Sequence, residues 1–522
     1  MSLRAEPLRA AAIALVAALA VVLLAPPGGD SAAHLYRTML VRDGVGVWDN
    51  LWYGGQYPLA SYSVLYYLPA ALVGNVPLVV LAVVASAALF ASVATHEWGA
   101  DARWPARAFG LLAAGPLFTG TYSYAAGLAA ALACLRLLQL RRPWLAVGAG
   151  ALSLGFSPLA FAFLCVVLCA VAAASRPRGR RTAIVAGGLA VAALLQLALM
   201  ALFPSEGRYP FSPLSLAAVL AVSGLGAALA LRTERGRLIA PFFVLWGLVC
   251  LAAFLVPSPF GDNLTRLRGL VFPLVLLAAV LARFRPRWLA AGAVAFALVY
   301  NLGPDVSALP KRADDRATAT AEYWSPALSF LAARHDPNHR VEVVPTFGHW
   351  EAWWVPRAGF ALARGWYRQI DLAENPELYD DPLDPAAYRR WLDRLAVRWV
   401  LLPDARLGPM GADREATLLR SGRSGLRPAF RSAHWTVYSV PDAKPILDGG
   451  SLTRFAHERV EGTVTTGRHA LRVRWNRYWH VEAGSVCLEP RPDGTTTLVA
   501  RRPGRFALGV GRGGAGCDRT DD

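Results

Sequence analysis

The sequence predicts a polytopic α-helical membrane protein of about 11 spans, followed by a C-terminal extracytoplasmic domain in which an α/β part precedes a β-sandwich-like module. Three observations lead to this fold class. Residues 1–302 consist largely of long apolar runs, arginines concentrate in alternate loops between those runs, and residues 303–522 have the composition of a soluble domain. The chain is 55% hydrophobic and 17% charged, whereas about a quarter of a typical soluble chain is charged. This composition excludes disordered, collagen-like and small disulfide-rich proteins.

The apolar runs set the span assignment, because crossing a bilayer takes about 20 apolar residues in a helix. The first run follows Arg4 and Arg9, as in a signal peptide, but Pro26-Pro27-Gly28-Gly29 stands where a cleavage site would be, so we expect a retained helix. Segments 143–156 and 158–174 are short and form either one kinked helix or two helices. The expected spans are 8–25, 69–94, 108–118, 124–140, 143–156, 158–174, 182–202, 214–231, 238–256, 269–282 and 287–302.

Arginines orient the membrane region, since cytoplasmic loops are enriched in Lys and Arg. With the N-terminus in the cytoplasm, 17 arginines fall on the cytoplasmic side of residues 1–302 and five fall in the outer loops. An odd number of spans then puts the C-terminal domain outside. Topology and anionic lipid headgroups thereby explain the formal net charge of +17 without nucleic acid. The Arg-rich, Lys-poor composition fits a high-GC bacterium, so the expected location is a bacterial plasma membrane.

The region after the last span divides further, because helical and strand patterns alternate first and short β runs with turns follow. The expected parts are a linker (303–317), an α/β domain (318–442), a β-sandwich-like module (452–511) and a flexible tail (512–522). Pro492-Asp493-Gly494 is a good hairpin turn within the module. Cys487 and Cys517 lie in this outer part, where an oxidising compartment permits a disulfide, but the sequence leaves their pairing open.

The first outer loop, residues 26–68, is the best place to look for chemistry, because its polar residues have no topological reason. Asp30 follows the first span, and His34 lies four residues later, on the same face of a helix. A carboxylate at the interface can act as a general base toward a sugar hydroxyl, with the histidine as a positioning group. Asp30 also suits the N-cap of a helix over 31–42. Capping alone is an equal alternative, and the two roles are compatible.

Aromatic residues crowd the rest of this loop. Trp48, Asp49, Trp52 and Tyr53 are the candidate sugar- or acceptor-binding residues, because aromatic faces pack well against the apolar faces of sugar rings. The alternative is a belt of aromatic side chains at the membrane interface.

A second candidate site lies in the outer loop 257–268. Arg266 and Arg268 oppose the enrichment of arginine on the inner side, so they need another reason. Together with Asn263 they would bind the phosphate of a lipid-linked sugar donor, since guanidinium groups match phosphate oxygens, and Asp262 would orient one of them. The alternative is contact with lipid headgroups or an Asp262–Arg266 pair along one helical turn.

The first outer loop also carries a resemblance. An apolar helix, Gly28-Gly29-Asp30-Ser31-Ala32-Ala33-His34, Trp48-Asp49-Asn50-Leu51-Trp52-Tyr53-Gly54-Gly55 and a Tyr/Pro-rich segment follow one another. This order resembles the GT-C superfamily of membrane glycosyltransferases, and within it the bacterial integral membrane proteins labelled 6-pyruvoyl-tetrahydropterin-synthase-related. The resemblance implies a polyprenyl-phosphate-linked sugar donor and an acidic catalytic residue in this loop, which Asp30 matches. The loop has no adjacent Asp-Asp or Asp-Glu pair, so no cofactor is certain and dependence on a divalent cation stays open.

The expected activity is the inverting transfer of a sugar from a polyprenyl phosphate to a cell-envelope glycan or lipid at the outer face of the membrane. Asp30 would deprotonate the acceptor hydroxyl, His34 would position it, and the two outer arginines would hold the departing phosphate. The expected partners are this donor, this acceptor and the bilayer. The alternatives are a membrane transporter or flippase and a non-catalytic envelope-assembly scaffold, and the scarcity of ionisable residues within the spans lowers the transporter interpretation. The sugar, linkage, acceptor and oligomeric state stay open.

Overall fold

A computed structural model describes residues 3–59, 62–175, 179–204, 207–511 and 514–517. The chain forms two compact units. The membrane unit comprises Met1–His34 and Ser61–Ala313, and the strand-rich unit comprises Leu35–Ala60 and Asp314–Asp522. The predicted outer loop 26–68 is therefore divided, because its first residues belong with the membrane helices and its central part belongs with the C-terminal residues.

Apolar α-helices make up most of the membrane unit. The second helix, α2, begins in this unit and continues into residues of the strand-rich unit. The helices are α1 (Glu6–Leu24), α2 (Ser31–Arg42), α3 (Tyr67–Val73), α4 (Asn75–Trp98), α5 (Arg103–Leu112), α6 (Gly115–Thr119), α7 (Tyr122–Gln139), α8 (Pro143–Phe156), α9 (Pro158–Ser175), α10 (Arg180–Leu202), α11 (Pro213–Ala230), α12 (Ala240–Leu255), α13 (Arg268–Leu281) and α14 (Arg287–Asp314). A 3₁₀ helix, Gly261–Leu267, leads directly into α13.

Within the described ranges, seven helical segments are long and apolar enough to cross a membrane, and α8 and α12 are shorter apolar helices. These helices support a multi-pass membrane protein. The count of about 11 spans and the orientation of the termini stay predictions. Helices α8 and α9 are separate and flank Ser157, so 143–174 forms two helices, and the number of spans that they make stays a prediction. Of the arginines used for orientation, Arg176 and Arg178 lie outside the described residues.

Two helix boundaries differ from the sequence-based expectation. The expected span 108–118 is divided between α5 and α6, and Pro116 lies in the first turn of α6, where proline is well tolerated. Helix α14 continues through Pro304 and Pro310 to Asp314, so most of the expected linker 303–317 is helical. The apolar run ends earlier than the helix because polar residues also form helices. The last turns of α14, up to Ala313, belong to the membrane unit.

The first part of the strand-rich unit combines helices with a mixed sheet, and the predicted alternation of helix and strand is visible in it. Strand β1 pairs with β2 in parallel, and β4 pairs antiparallel with both β2 and β3, which gives the order β1-β2-β4-β3. The elements are α15 (Ala321–Ala332), β1 (Arg340–Val343), α16 (Glu351–Arg357), α17 (Arg368–Glu374), α18 (Pro385–Arg394), β2 (Val397–Pro403), α19 (Ala412–Arg420), β3 (Arg427–Arg431) and β4 (Trp435–Ser439).

The last part of the strand-rich unit consists of two antiparallel sheets that share one hydrophobic core. One sheet has the order β7-β10-β9 and the other β5-β6-β11-β8. Gly494, with φ of +78°, lies in the turn between β9 and β10, as the hairpin pattern predicts. The strands are β5 (Gly450–Ala456), β6 (Arg459–Val464), β7 (Gly467–Arg474), β8 (Trp479–Ala483), β9 (Val486–Pro490), β10 (Thr495–Ala500) and β11 (Gly504–Val510).

Cys487 and Cys517 form a disulfide, which answers the question of their pairing. The backbone N–H of Leu488 also donates to the carbonyl of Ala515 at 2.7 Å. The part of the predicted tail that the structure describes, residues 514–517, is therefore attached to β9. The rest of that tail, residues 512–513 and 518–522, lies outside the described residues.

Candidate functional site

Asp30 lies at the start of α2, where two glycines bring chain segments together. A Cβ added to Gly28 would lie 2.4 Å from the amide nitrogen of Gly120, and one added to Gly120 would lie 2.6 Å from that of Asp30. Only glycine allows so close a backbone approach. The N–H of Asp30 donates to the carbonyl of Thr119 at 3.4 Å, and its own carbonyl accepts from the N–H of His34 at 3.2 Å. The backbone thus fixes Asp30 between α2 and the C-terminus of α6.

The side chain of Asp30 forms an ion pair with Arg266. Asp30 Oδ2 lies 3.4 Å from a terminal nitrogen of the Arg266 guanidinium group, and the two side chains are 27% and 32% exposed. The two sequence-predicted sites, which are far apart in the chain, therefore meet in the membrane unit. Sequence spacing had suggested Asp262 as the partner of Arg266. In the structure, Asp262 Oδ2 accepts a hydrogen bond from Ser215 Oγ at 3.2 Å.

Arg268 lies at the first position of α13 and pairs with a carboxylate of α14. Its guanidinium group lies 3.0 Å from Asp305 Oδ1, and its carbonyl accepts from Asn301 Nδ2 at 2.6 Å. Asn263 lies on the 3₁₀ helix before α13, where its N–H donates to the carbonyl of Phe260 at 2.9 Å. The sequence did not point to Asp305, because its position was expected to belong to a linker.

Arg312 adds a third guanidinium group that sequence reasoning missed for the same reason. It donates a hydrogen bond to the carbonyl of Phe118 and stacks over the Phe118 ring at 4.5 Å. A Cβ added to Gly29 would lie 3.5 Å from one of its terminal nitrogens. Asp30 and Asp305 both interact electrostatically with Arg312. Its Nε is buried and has no hydrogen-bond partner among the described residues, so this group retains capacity to donate.

These side chains form what we call the Asp30 cluster. Three guanidinium groups face two carboxylates in the membrane unit, which leaves one positive charge in excess. An excess of arginine suits a phosphate or another oxyanion, since guanidinium groups donate several hydrogen bonds in a planar fork. A partly exposed carboxylate beside them can accept a proton. The members are Asp30, Arg266, Arg268, Asp305 and Arg312.

His34 lies in the first turn of α2, among tyrosine side chains. Its side chain is mostly buried, and its Nδ1 lies 3.1 Å from the hydroxyl of Tyr67. The Tyr122 ring stacks on the imidazole at 5.0 Å, while the Tyr122 hydroxyl lies 2.8 Å from Ser31 Oγ. These contacts hold the first turn of α2 in place. The structure therefore favours a positioning role for His34 over direct contact with a substrate.

The predicted sugar platform is not a surface of the strand-rich unit. Trp48, Asp49, Trp52 and Tyr53 are all buried, with an exposure of at most 2%. The Trp52 ring stacks on the ring of Tyr36 at 4.3 Å, so protein covers the face that a sugar would need. The aromatic side chains of the loop are buried because aromatic and apolar residues from distant parts of the strand-rich unit pack against them. We therefore omit these four residues from the candidate site.

Trp48 and Asp49 show how the central part of the predicted outer loop packs into the strand-rich unit. Trp48 Nε1 donates to Asn50 Oδ1 at 2.8 Å, and its ring packs in the core that the two antiparallel sheets share. Asp49 accepts hydrogen bonds from the Tyr36 hydroxyl at 2.9 Å and the His457 Nδ1 at 2.9 Å. A carboxylate with these partners stabilises the fold. The sequence contained no signal for His457 as a partner.

No group of three or more His, Cys, Asp or Glu side chains that could hold a metal ion occurs in the described part of the chain. The Asp30 cluster contains two carboxylates, and each lies beside at least one arginine. Its own residues therefore favour an anion over a cation.

No known protein family and no curated protein matches the chain. Among solved structures, the chain is similar to the arabinofuranosyltransferase AftD from Mycobacteria, with a TM-score of 0.45, 17% identity, and coverage of 98% of this chain and 40% of that chain. A mutant form of AftD gives a TM-score of 0.49 at 16% identity, over 90% of this chain and 43% of that chain. ArnT from Cupriavidus metallidurans in the apo state gives 0.39 at 14% identity, over 81% and 97%. The chain spans less than half the length of AftD.

Proposed function

We propose that the chain is a membrane glycosyltransferase of the GT-C type, which transfers a sugar from a polyprenyl phosphate to a glycan or lipid of the bacterial cell envelope. The observation that carries this proposal is the ion pair between Asp30 and Arg266, at 3.4 Å. This ion pair brings a candidate general base next to an arginine that is a candidate for binding phosphate. Arg268 and Arg312 lie in the same cluster and support it by adding positive charge.

The reaction would use this pairing as follows. Asp30 takes the proton of the acceptor hydroxyl while the acceptor oxygen forms a bond to the anomeric carbon of the sugar. The bond between that carbon and the phosphate oxygen breaks, and polyprenyl phosphate leaves with one more negative charge than it had in the donor. Arginine side chains stabilise the charge that develops on the phosphate. Arg266 and Arg268 are the groups proposed for this role.

His34 contributes to this reaction by positioning. Its contacts with Tyr67 and Tyr122 hold the start of α2, and the carboxylate of Asp30 projects from that start. Asn263 precedes Arg266 on the same 3₁₀ helix and is proposed as an additional donor to the phosphate. The proposed site lies at the outer face of the membrane, with the strand-rich unit outside the cell.

The test is sugar transfer by the full-length protein in membranes that contain a radiolabelled polyprenyl-phosphate sugar. Asp30→Asn should lower the rate of transfer by about 10²–10⁴-fold, the usual contribution of a general base. Asp43→Asn is the matched control, because Asp43 is an exposed aspartate shortly after α2. It should leave the rate unchanged.

In the same assay, Arg266→Ala tests the proposed binding of the donor phosphate independently of the proposed base. It should raise the KM for the lipid-linked donor as well as lower the rate. A nucleotide sugar supplied instead of the lipid-linked donor should not support transfer. Equal transfer by wild-type protein, Asp30→Asn and Asp43→Asn would reject the proposed base and favour a scaffold or transporter.

A further inference from the structure

A basic cavity of about 310 Å³ opens on the strand-rich unit, and none of its lining residues belongs to the proposed reaction. It lies between helix α18 and the sheet formed by β7, β10 and β9. Five basic side chains line it, namely Arg390, Arg394, Lys444, Arg472 and Arg491, together with Asp393, Asp493 and Thr495. Lys444 is one of only two lysines in the chain. A cavity built from two structural layers and lined by charged groups is a candidate binding site.

The ion pairs around the cavity leave two cations in excess. Three of the five basic groups lie beside a carboxylate, and Asp393 also pairs with Arg389 at 3.2 Å. The exposed side chains of Arg390 and Lys444 have no ion-pair partner among the described residues. The three pairs are Arg394–Glu377 at 2.8 Å, Arg472–Asp448 at 2.8 Å and Arg491–Asp493 at 3.5 Å.

The walls of the cavity are held by hydrogen bonds. Arg472 donates to the carbonyl of Pro445 at 2.7 Å, next to Lys444. In the turn between β9 and β10, Asp493 Oδ1 accepts from the Thr495 hydroxyl at 2.6 Å and from the Thr495 N–H at 3.0 Å. A ligand would therefore meet groups that are already positioned, which lowers the entropic cost of binding.

A buried arginine lies behind the cavity and adds to its positive charge. Arg340 is fully buried, and it donates to the carbonyls of Arg472 at 2.8 Å and Leu395 at 2.9 Å. Burial, and next the positive charge of Arg472, lower the pKa of Arg340 to about 9. Arg340 has no carboxylate partner among the described residues. The two backbone carbonyls therefore compensate its positive charge.

We propose that this cavity binds an anionic oligosaccharide, whose carboxylate or phosphate groups contact Arg390 and Lys444. The two carboxylates and the threonine hydroxyl suit the hydroxyl groups of a sugar chain, which both donate and accept hydrogen bonds. No aromatic side chain is among the described lining residues, so neither the base stacking of a single-stranded nucleic acid nor the ring packing of a neutral sugar finds a partner, and recognition rests on charge and hydrogen bonds. The inference goes beyond the proposed function and does not depend on it.

The test is binding of a fluorescent trigalacturonate to the full-length protein in detergent micelles. Wild-type protein should bind this probe and should not bind neutral galactotriose. The double variant Arg390→Ala/Lys444→Ala should weaken binding by about tenfold or more, as expected for two charge-assisted contacts. A phosphorylated trisaccharide, added as a competitor, should displace the probe at lower concentration than inorganic phosphate does, and equal or better displacement by inorganic phosphate would overturn the assignment of a glycan-borne anion.

The matched control is Arg501→Ala/Arg502→Ala, which removes the same charge from an exposed turn outside the cavity. It should bind the probe as the wild-type protein does. Equal weakening in both double variants, equal binding of galactotriose, or no binding of trigalacturonate by wild-type protein would overturn the proposal. Hydrogen exchange of wild-type protein provides a second measurement, because the probe should protect residues 385–394 and 441–447. Protection confined to other segments would also overturn it.

Discussion

Asp30 and Asp49 come from one predicted loop, yet they lie in opposite environments. The Asp30 side chain is 27% exposed and faces the guanidinium group of Arg266. Asp49 is fully buried and accepts hydrogen bonds from Tyr36 and His457. A carboxylate whose oxygens are satisfied inside a core stabilises the fold, whereas one that stays accessible beside an arginine can take part in a reaction. The same contrast separates the basic Asp30 cluster from the buried aromatic residues that the loop also carries.

Truncating the aromatic half of the loop gives the largest expected effect. Trp52→Ala should destabilise the strand-rich unit by about 3–5 kcal/mol, because it leaves a large cavity beside Tyr36. Thermal unfolding followed by intrinsic fluorescence measures this loss. Sugar transfer per folded molecule should stay unchanged. A variant of normal stability with a raised KM for the donor or acceptor would restore Trp52 as a sugar-binding residue.

The next prediction concerns the Asp30 cluster and removes Arg312 from it. Arg312→Ala should lower the rate of transfer by about 10- to 100-fold, since it withdraws one of three guanidinium groups from the cluster. Lys311→Ala is the control, because this exposed lysine is adjacent on α14. Rates are measured with the labelled polyprenyl-phosphate donor at saturating and limiting concentrations. Equal rates for the two variants would exclude Arg312 from the site.

The pair of partly buried His457 and fully buried Asp49 should make the stability of the strand-rich unit depend on pH. Burial lowers the pKa of the His457 imidazole, but the hydrogen bond and charge of Asp49 outweigh this and raise the pKa above its usual value. The folded state therefore holds the proton more tightly than the unfolded state. The resulting stabilisation is complete below the unfolded pKa of about 6.5 and is lost as the pH rises through the folded pKa.

Replacement of the histidine tests this pH dependence. His457→Gln should lower the midpoint of thermal unfolding at pH 5.5 more than at pH 9. If the difference between variant and wild type did not change with pH, the His457 imidazole would not hold its proton more tightly in the folded state than in the unfolded state. Transfer by the variant should follow the amount of folded protein.

Chelation of divalent cations should give the smallest effect. The positive excess of the Asp30 cluster opposes a bound cation, so EDTA should leave transfer by purified protein unchanged. Loss of transfer in EDTA, with recovery on addition of Mg²⁺ or Mn²⁺, would restore the divalent cation that the sequence left open.

The sequence predicted the parts of the molecule that depend on local pattern. Apolar runs predicted the helices, and Pro492-Asp493-Gly494 predicted the turn between β9 and β10. The membrane topology gave no reason for Asp30 in the first outer loop, and the outer arginines opposed the enrichment of arginine on the cytoplasmic side. These residues therefore stood out in the sequence. Periodicity could not reveal the ion pair of Asp30 and Arg266, because the 3₁₀ helix Gly261–Leu267 and the start of α2 meet through tertiary packing.

The failures have the same origin. The sequence places Arg312 and Asp305 in a linker, but the end of an apolar run does not mark the end of a helix. Trp52 and Asp49 seemed exposed, since the residues that bury them, such as His457, follow hundreds of residues later. Distant partners decide whether an aromatic or acidic side chain binds a ligand or fills a core.

The most direct test of the account is a crossed measurement on Asp30→Asn and Asp49→Asn in one preparation. We expect Asp30→Asn to lose transfer from the polyprenyl-phosphate sugar and to unfold at the wild-type temperature. Asp49→Asn should unfold at a lower temperature and retain transfer in proportion to its folded fraction. Full transfer by folded Asp30→Asn, or loss of transfer by Asp49→Asn at normal stability, would contradict the assignment of the base.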